Sequence, residues 1–299
     1  MSDAAFHIQE KLSRQLFPGH RIALFISEDA AKRSFTPWLD ELIRNPDSNT
    51  RVSIYVLKGI SSQRFLESEY AMERFSSLYA TRTTRIVGFA ENIFDLQKEK
   101  NNPSRCFMLP VISTQMNGAE SQMEFQDIAL FDQQSRMIHT LKGDDALLAL
   151  WMAGKITHLP LTLPVSSDKG TITLDLRKLK HKISVKFSGE SVKITVNLTG
   201  KGLIRENNTN QYLLSASVKE QIAREMSEQT QKKARQVIQT AQTYRTDIFG
   251  IGNQIAWKHP AKWRGLRDNW SQTFSHAEVS VHVKLTINGV GQVGTGPKY

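Results

Sequence analysis

The sequence predicts an α+β protein of several domains, in which mixed and antiparallel sheets carry packed helices and a long helix lies on a C-terminal antiparallel sheet. Three observations predict it. The chain has 299 residues, more than one hydrophobic core usually organises. Helical and strand-like segments alternate in the first part and then give way to strand pairs. Residues 170–204 alternate apolar and polar positions at the strand period, and residues 215–244 follow with a stripe at the helical period.

Ala4, Ala5, Ile8, Leu12 and Leu16 fall at helical spacing, and Pro18-Gly19 ends the pattern. Residues 21–26 form a continuous apolar run of the kind covered on both faces, which predicts a central strand. Phe35, Trp38, Leu39, Leu42 and Ile43 make an amphipathic stripe, with Pro37 near its start and Asn45-Pro46-Asp47 as its stop. A second strand over 52–57, closed by Gly59, gives the parallel pair of an α/β layer.

Residues 60–98 read as mainly helical, and the polar stretch 97–104 with Pro103 marks the first boundary. Residues 107–112, 124–131 and 137–141 then read as strands, the last two joined by the hairpin residues 132–135. A short helix over 144–152 follows, with Asp144 and Asp145 suited to its N-terminus.

In the alternating region Ile172, Leu174 and Leu176 share one face and Ile183, Val185 and Phe187 another, before a turn at 188–190 leads into Val192, Ile194, Val196 and Leu198. Residues 205–212 offer capping groups to the long helix, which at 1.5 Å per residue spans roughly 45 Å and packs its stripe on the sheet. The expected domains are therefore an N-terminal α/β part over 1–103, a middle α+β part over 104–165 and a C-terminal α+β part over 166–299.

Charge is distributed unevenly: the net is −1 over residues 1–165 and +11 over 166–299. Such a field favours anionic partners, whether phospholipid headgroups, nucleic acid or an acidic protein face. Cys106 is the single cysteine, so neither an intramolecular disulfide nor a thiolate cluster can form, and its place at the start of an apolar run suits a buried thiol. No stretch reaches the ~18 apolar residues of a membrane span. The N-terminus has no secretory h-region, so the chain as written is expected to stay in the cytoplasm.

Motif searches narrow the chemistry. Residues 289–294 match GxGxxG, but no helix or acidic residue can follow them in a chain of this length, so a Gly-rich tail is the expectation. The histidines lack metal-ligand spacing, although His276 and His282 could share a strand face. No catalytic serine elbow or P-loop pattern occurs, and no catalytic, cofactor or metal residues are assigned.

Residues 247–270 stand out: Phe249, Ile251, Ile255, Trp257, Trp263, Leu266 and Trp270 lie among Lys258, Lys262, Arg264 and Arg267. They read as two short helices split at His259-Pro260 and wedged against the sheet. The same cationic and aromatic mixture suits a membrane interface or single-stranded nucleic acid.

The order Asp247-x-Phe249-Gly250-x-Gly252, His259-Pro260-x-x-Trp263, Asn269-Trp270-x-x-x-Phe274, then Val279, Val281, Val283, Leu285 and Ile287 with Gly289, resembles the C-terminal domain of Ger(x)C-type spore germination lipoproteins. Gly19-His20 through Ile26, Trp38-Leu39 and residues 52–59 resemble that family's N-terminal domain. The resemblance implies the non-enzymatic C subunit of a nutrient-germinant receptor, held at the outer face of the spore inner membrane beside integral-membrane A- and B-type subunits. It implies no cofactor, metal or nucleic-acid partner, and makes Asp247, Phe249, Gly250, Gly252, Pro260, Trp263, Trp270 and Phe274 structural or partner-facing signature residues. The basic C-terminal half also suits an anionic membrane surface; a basic nucleic-acid-binding protein is the alternative. Family members begin with a signal peptide, a lipid-modified cysteine and a strand-rich section. Met1 stands just before what would be the next helix, so the anchor is expected to be missing from this chain through truncation, a mis-called start or a product that does not anchor itself.

Overall fold

The computed structural model describes residues 2–290 except 16, 35, 46–48, 69–72, 118–119, 166–169 and 190. It divides into two compact units, residues 1–141 and 142–299.

The first unit runs α1 (Ser2–Gln9), a 3-10 turn (Pro18–His20), β1 (Ala23–Ser27), α2 (Glu28–Lys32), α3 (Thr36–Arg44) and β2 (Ser53–Lys58). It continues through α4 (Ser62–Glu67), α5 (Ser76–Val87), α6 (Ile93–Asn101), β3 (Phe107–Asn117), β4 (Glu120–Phe131) and β5 (Met137–Leu141). The sheet order is β1-β2-β3-β4-β5, parallel from β1 to β3 and antiparallel beyond. Helices α2, α4 and α6 start where side chains can satisfy their free amides: Ser27 accepts from Ala30 N, Ser61 from Arg64 N and Asn92 from Asp95 N.

The alternation of β2 puts Ile54 and Val56 into one core with Leu39, Leu42, Ile93 and Leu96, and Tyr55 and Leu57 into another with Phe65 and Ala80. Strand β2 is thus covered on both faces, as is β1, which sends Leu24 and Ile26 to the first core and Ala23 and Phe25 to the second. The run at 21–26, expected to be central, forms the edge strand β1, whose residues are mostly half-buried. An apolar run records burial of side chains, and an edge strand can have it whenever helices cover its faces.

Two further expectations change. Residues 97–101 belong to α6, and β3 to β5 extend the same sheet as β1 and β2, so a boundary at 103/104 falls inside one layer. The predicted helix over 4–16 ends at Gln9, with Phe6 and Ile8 exposed at 68% and 51%; a short stripe without a core to cover gains little from continuing. Leu16, Phe35, Pro46 and Asp47 lie outside the described residues, as do residues 291–294 of the GxGxxG match.

The second unit contains α7 (Gly143–Met152), β6 (His158–Pro164), β7 (Thr171–Ser188), β8 (Ser191–Asn207), α8 (Ala216–Thr243), α9 (Ile251–Lys258), α10 (Pro260–Leu266), a 3-10 turn (Arg267–Asn269), α11 (Trp270–His276) and β9 (Glu278–Val290). The sheet order is β6-β7-β8-β9, antiparallel until β9, which runs parallel to β8. The C-terminal sheet is therefore mixed, because the helices α8 to α11 form a crossover that returns the chain in the same direction.

The two apolar sets of β7 lie on one face, not two. One extra residue at 177–180, with Lys178 at φ 54°, shifts the register against β8 and reverses the alternation. Leu174 thereby opposes Ile204 while Ile183 opposes Val196, all of them buried. Trp151 of α7 fastens to this bulge by donating from Nε1 to the Lys180 carbonyl at 3.1 Å.

Helix α8 buries Ile222, Met226, Ala234, Val237, Ile238 and Ala241. Its start is Ser215, without a side-chain cap. The expected capping residues upstream instead make a local turn, in which Asn207 Oδ1 accepts from Thr209 N and Thr209 Oγ1. Along β9, α8 also reaches the backbone: Leu285 N donates to Ser227 Oγ at 3.0 Å and Val283 N to Gln231 Oε1 at 3.3 Å.

Candidate functional site

The segment after α8 turns around one carboxylate. Asp247 is 1% exposed. Its Oδ1 accepts from Ile251 N at 3.0 Å, and Oδ2 accepts from Gly252 N at 2.6 Å and Trp270 Nε1 at 2.9 Å. The first two donors are the leading amides of α9, which no helical carbonyl can reach. Burial raises the Asp247 pKa, while the amides of Gly252, Ile251 and Phe249 and the Trp270 indole act against that rise.

Glycines make the arrangement possible. Gly250, the residue before α9, has φ 69°, a left-handed conformation that disfavours other residues. A Cβ on Gly252 would lie 2.6 Å from Trp270 Nε1 and 3.0 Å from the Trp263 ring, so the indoles pass directly over its backbone. Trp263 and Trp270 meet edge to face at 5.6 Å, and Trp270 and Phe274 are tilted at 6.2 Å. Gln242, near the end of α8, donates to the carbonyls of Phe274 and Ala277 at 2.9 Å each and so ties α11 to α8.

The structure thus brings Asp247, Gly250, Gly252, Trp263, Trp270 and Phe274 into one cluster, with Phe249 buried at 8%. Pro260 stands apart, exposed at the first position of α10. Chemically the cluster is a clamp: one buried carboxylate holds the leading amides of α9 and the indole of Trp270 together. Trp257 does not share in it: the residue is 89% exposed. His276 closes α11 and His282 lies on β9, so they do not share a strand.

Two features escaped the sequence reading. Gln242 has no local pattern to betray it, because its acceptors lie more than thirty residues away. Asp175, 7% exposed, is ringed by His158, Arg177 and Arg205, with Arg205 donating from both Nε and an Nη at 3.0 and 2.9 Å. Burial raises its pKa, but the hydrogen bonds from Arg205, His158 and Arg177 outweigh that and hold it at about 2. Among the described residues no group of His, Cys, Asp and Glu is placed to hold a metal ion, and no helix is long and apolar enough to cross a membrane. In the first unit, Thr36, Lys100, Arg105, Gln133 and Ser135 line a polar hollow of about 400 Å³, where burial lowers the Lys100 pKa.

Residues 126–291 match the family described as spore germination B3/GerAC-like, C-terminal, and residues 1–114 match the spore germination protein N-terminal domain. The chain belongs to the Ger(x)C spore germination family. Three Bacillus subtilis (strain 168) relatives resemble this Ger(x)C chain: a putative spore germination protein YfkR (22% identical over 95% of this chain and 75% of its own), spore germination protein YndF (22%, 94% and 70%) and spore germination protein KC (20%, 92% and 72%). The crystal structure of the GerBC protein shares the fold, with a TM-score of 0.75 over 96% of this chain and 84% of that one at 14% identity. A role in spore germination follows from this membership, and the Asp247 cluster lies within the matched C-terminal domain.

Proposed function

We infer that this Ger(x)C chain is the non-enzymatic C-type subunit of a nutrient-germinant receptor. In this reading it assembles with integral-membrane A- and B-type subunits at the outer face of the spore inner membrane and takes part in receiving the nutrient signal. The observation that carries the reading is that both halves of the chain match domains of one germination family. The Asp247 cluster supports the non-enzymatic part, because its polar groups are spent on holding helices in place.

The test is genetic and biochemical. Spores lacking the chain should fail to lose refractility with at least one nutrient and recover when it is restored, and the tagged chain should co-purify with both integral-membrane subunits from solubilised spore membranes. Normal germination with every nutrient, together with no co-purifying subunit, rejects the reading.

A further inference from the structure

Trp257, in the last turn of α9, is 89% exposed. Trp151 and Trp270, by contrast, are 1% exposed each; an indole left in water forgoes the burial that usually fixes this residue type in place. The adjoining helix α10 buries none of its residues. Only Trp263 and Leu266 turn partly inward, while Pro260, Ala261, Lys262, Arg264 and Gly265 face solvent.

Charge on this corner is one-sided. Lys258, Lys262, Arg264 and Arg267 are all exposed, and the nearby acid Asp268 pairs with Arg267 at 3.3 Å. The corner is also firmly mounted. His259 meets the Phe187 ring edge to face at 5.4 Å, and Lys262 Nζ lies 5.9 Å from the same ring, at the end of strand β7. At its other end α9 is held by the Asp247 clamp.

We propose that the α9–α10 corner is a membrane-contact face, with Trp257 seated at the headgroup level of an anionic phospholipid bilayer and Lys258, Lys262 and Arg264 against lipid phosphates. An indole rimmed by cations is the side-chain set that partitions to such an interface, because the ring spans the polar–apolar boundary and the cations meet the negative leaflet. Single-stranded nucleic acid calls for successive stacking rings in a basic groove; here the ring beside the corner, Phe187, is covered by His259. A protein partner calls for an apolar anchor region, and the exposed residues that follow Trp257 are Lys258, His259, Pro260, Ala261 and Lys262, with no large apolar side chain among them. The proposal rests on the reading that the chain works at a membrane surface and gives that reading a defined contact.

The experiment is co-sedimentation of the full chain with phosphatidylcholine vesicles with and without phosphatidylglycerol, at low and physiological salt. The chain should bind only the anionic vesicles. Trp257→Ala and the pair Lys262→Glu/Arg264→Glu should each weaken binding by about tenfold. Arg224→Glu/Arg235→Glu, an equal charge change at exposed positions of α8, should weaken it by less than about twofold. With brominated lipid, Trp257→Phe should keep binding and lose most of the tryptophan quenching. Equal losses in both double variants, binding indifferent to Trp257→Ala, or capture of single-stranded DNA or an acidic peptide without vesicle binding would each overturn the proposal. Vesicle binding is read without spores: binding as described with normal germination in the deletion strain rejects the receptor reading alone, and the reverse result rejects the contact face alone.

Discussion

A single methyl group should distinguish two glycines of neighbouring helices. At Gly252 a Cβ meets Trp270 Nε1 at 2.6 Å, whereas at Gly265 it meets nothing within 4 Å. Gly252→Ala should destabilise the second unit by about 1–3 kcal/mol, and Gly265→Ala should stabilise it by up to about 1 kcal/mol, both measured by urea titration. Asp247→Ala removes the acceptor of two backbone amides and an indole N–H, so a loss of about 3 kcal/mol or more is expected in the same titration. Asp175 gives a pH signature. Its folded pKa of about 2 lies below the ordinary 3.8, so its ionised form adds stability above pH 3.8 that disappears as pH falls through about 2. Asp175→Asn should therefore lower the urea midpoint at pH 7 and flatten its decline over that acid window. Trp263 and Trp270 stood out in the sequence by themselves, Asp247, Gly250, Gly252 and Phe274 only through the family resemblance, and Asp175 not at all. Its partners His158 and Arg205 come from the neighbouring strands β6 and β8, and pairing across strands leaves no mark at short spacing.

At the scale of elements, α8 does more than cover the sheet. Ser227 and Gln231 accept the Leu285 and Val283 amides of β9, groups that a strand at the end of a sheet otherwise offers to water. Ser227→Ala/Gln231→Leu should therefore speed hydrogen exchange at these two amides, and cost about 1 kcal/mol per lost bond, while exchange in β6 is unchanged. The helix itself was readable almost to the residue, 215–244 against Ala216–Thr243, because its stripe persists over many turns. Strand β6 was missed, since its two prolines disguise a strand whose Leu159, Leu161 and Leu163 all face the core. The facing of β7 was misread because one extra residue inverts the alternation, and no residue type announces a bulge at Lys178.

Across the whole molecule the two units differ in charge: residues 1–141 carry a net −1, and residues 142–299 have 23 Lys and Arg against 12 Asp and Glu. Each has its own core, so the slowest-exchanging amides should fall in two separate sets, in β2 and β3 of one and β7 and β8 of the other, while β1 exchanges faster than β2. Equal protection of β1 and β2 would contradict the edge position. Strand order was the least legible property, because it depends on which strands pair across intervening helices. The lid that α8 places over β9 limits how this protein can meet others. At the opposite margin Pro160 and Pro164 remove donors from β6, so neither border of the second sheet offers a regular ladder to a foreign strand. Subunits that join it there must dock on helices, loops or the sheet face, and the basic sheet is shielded from polymerising by strand exchange.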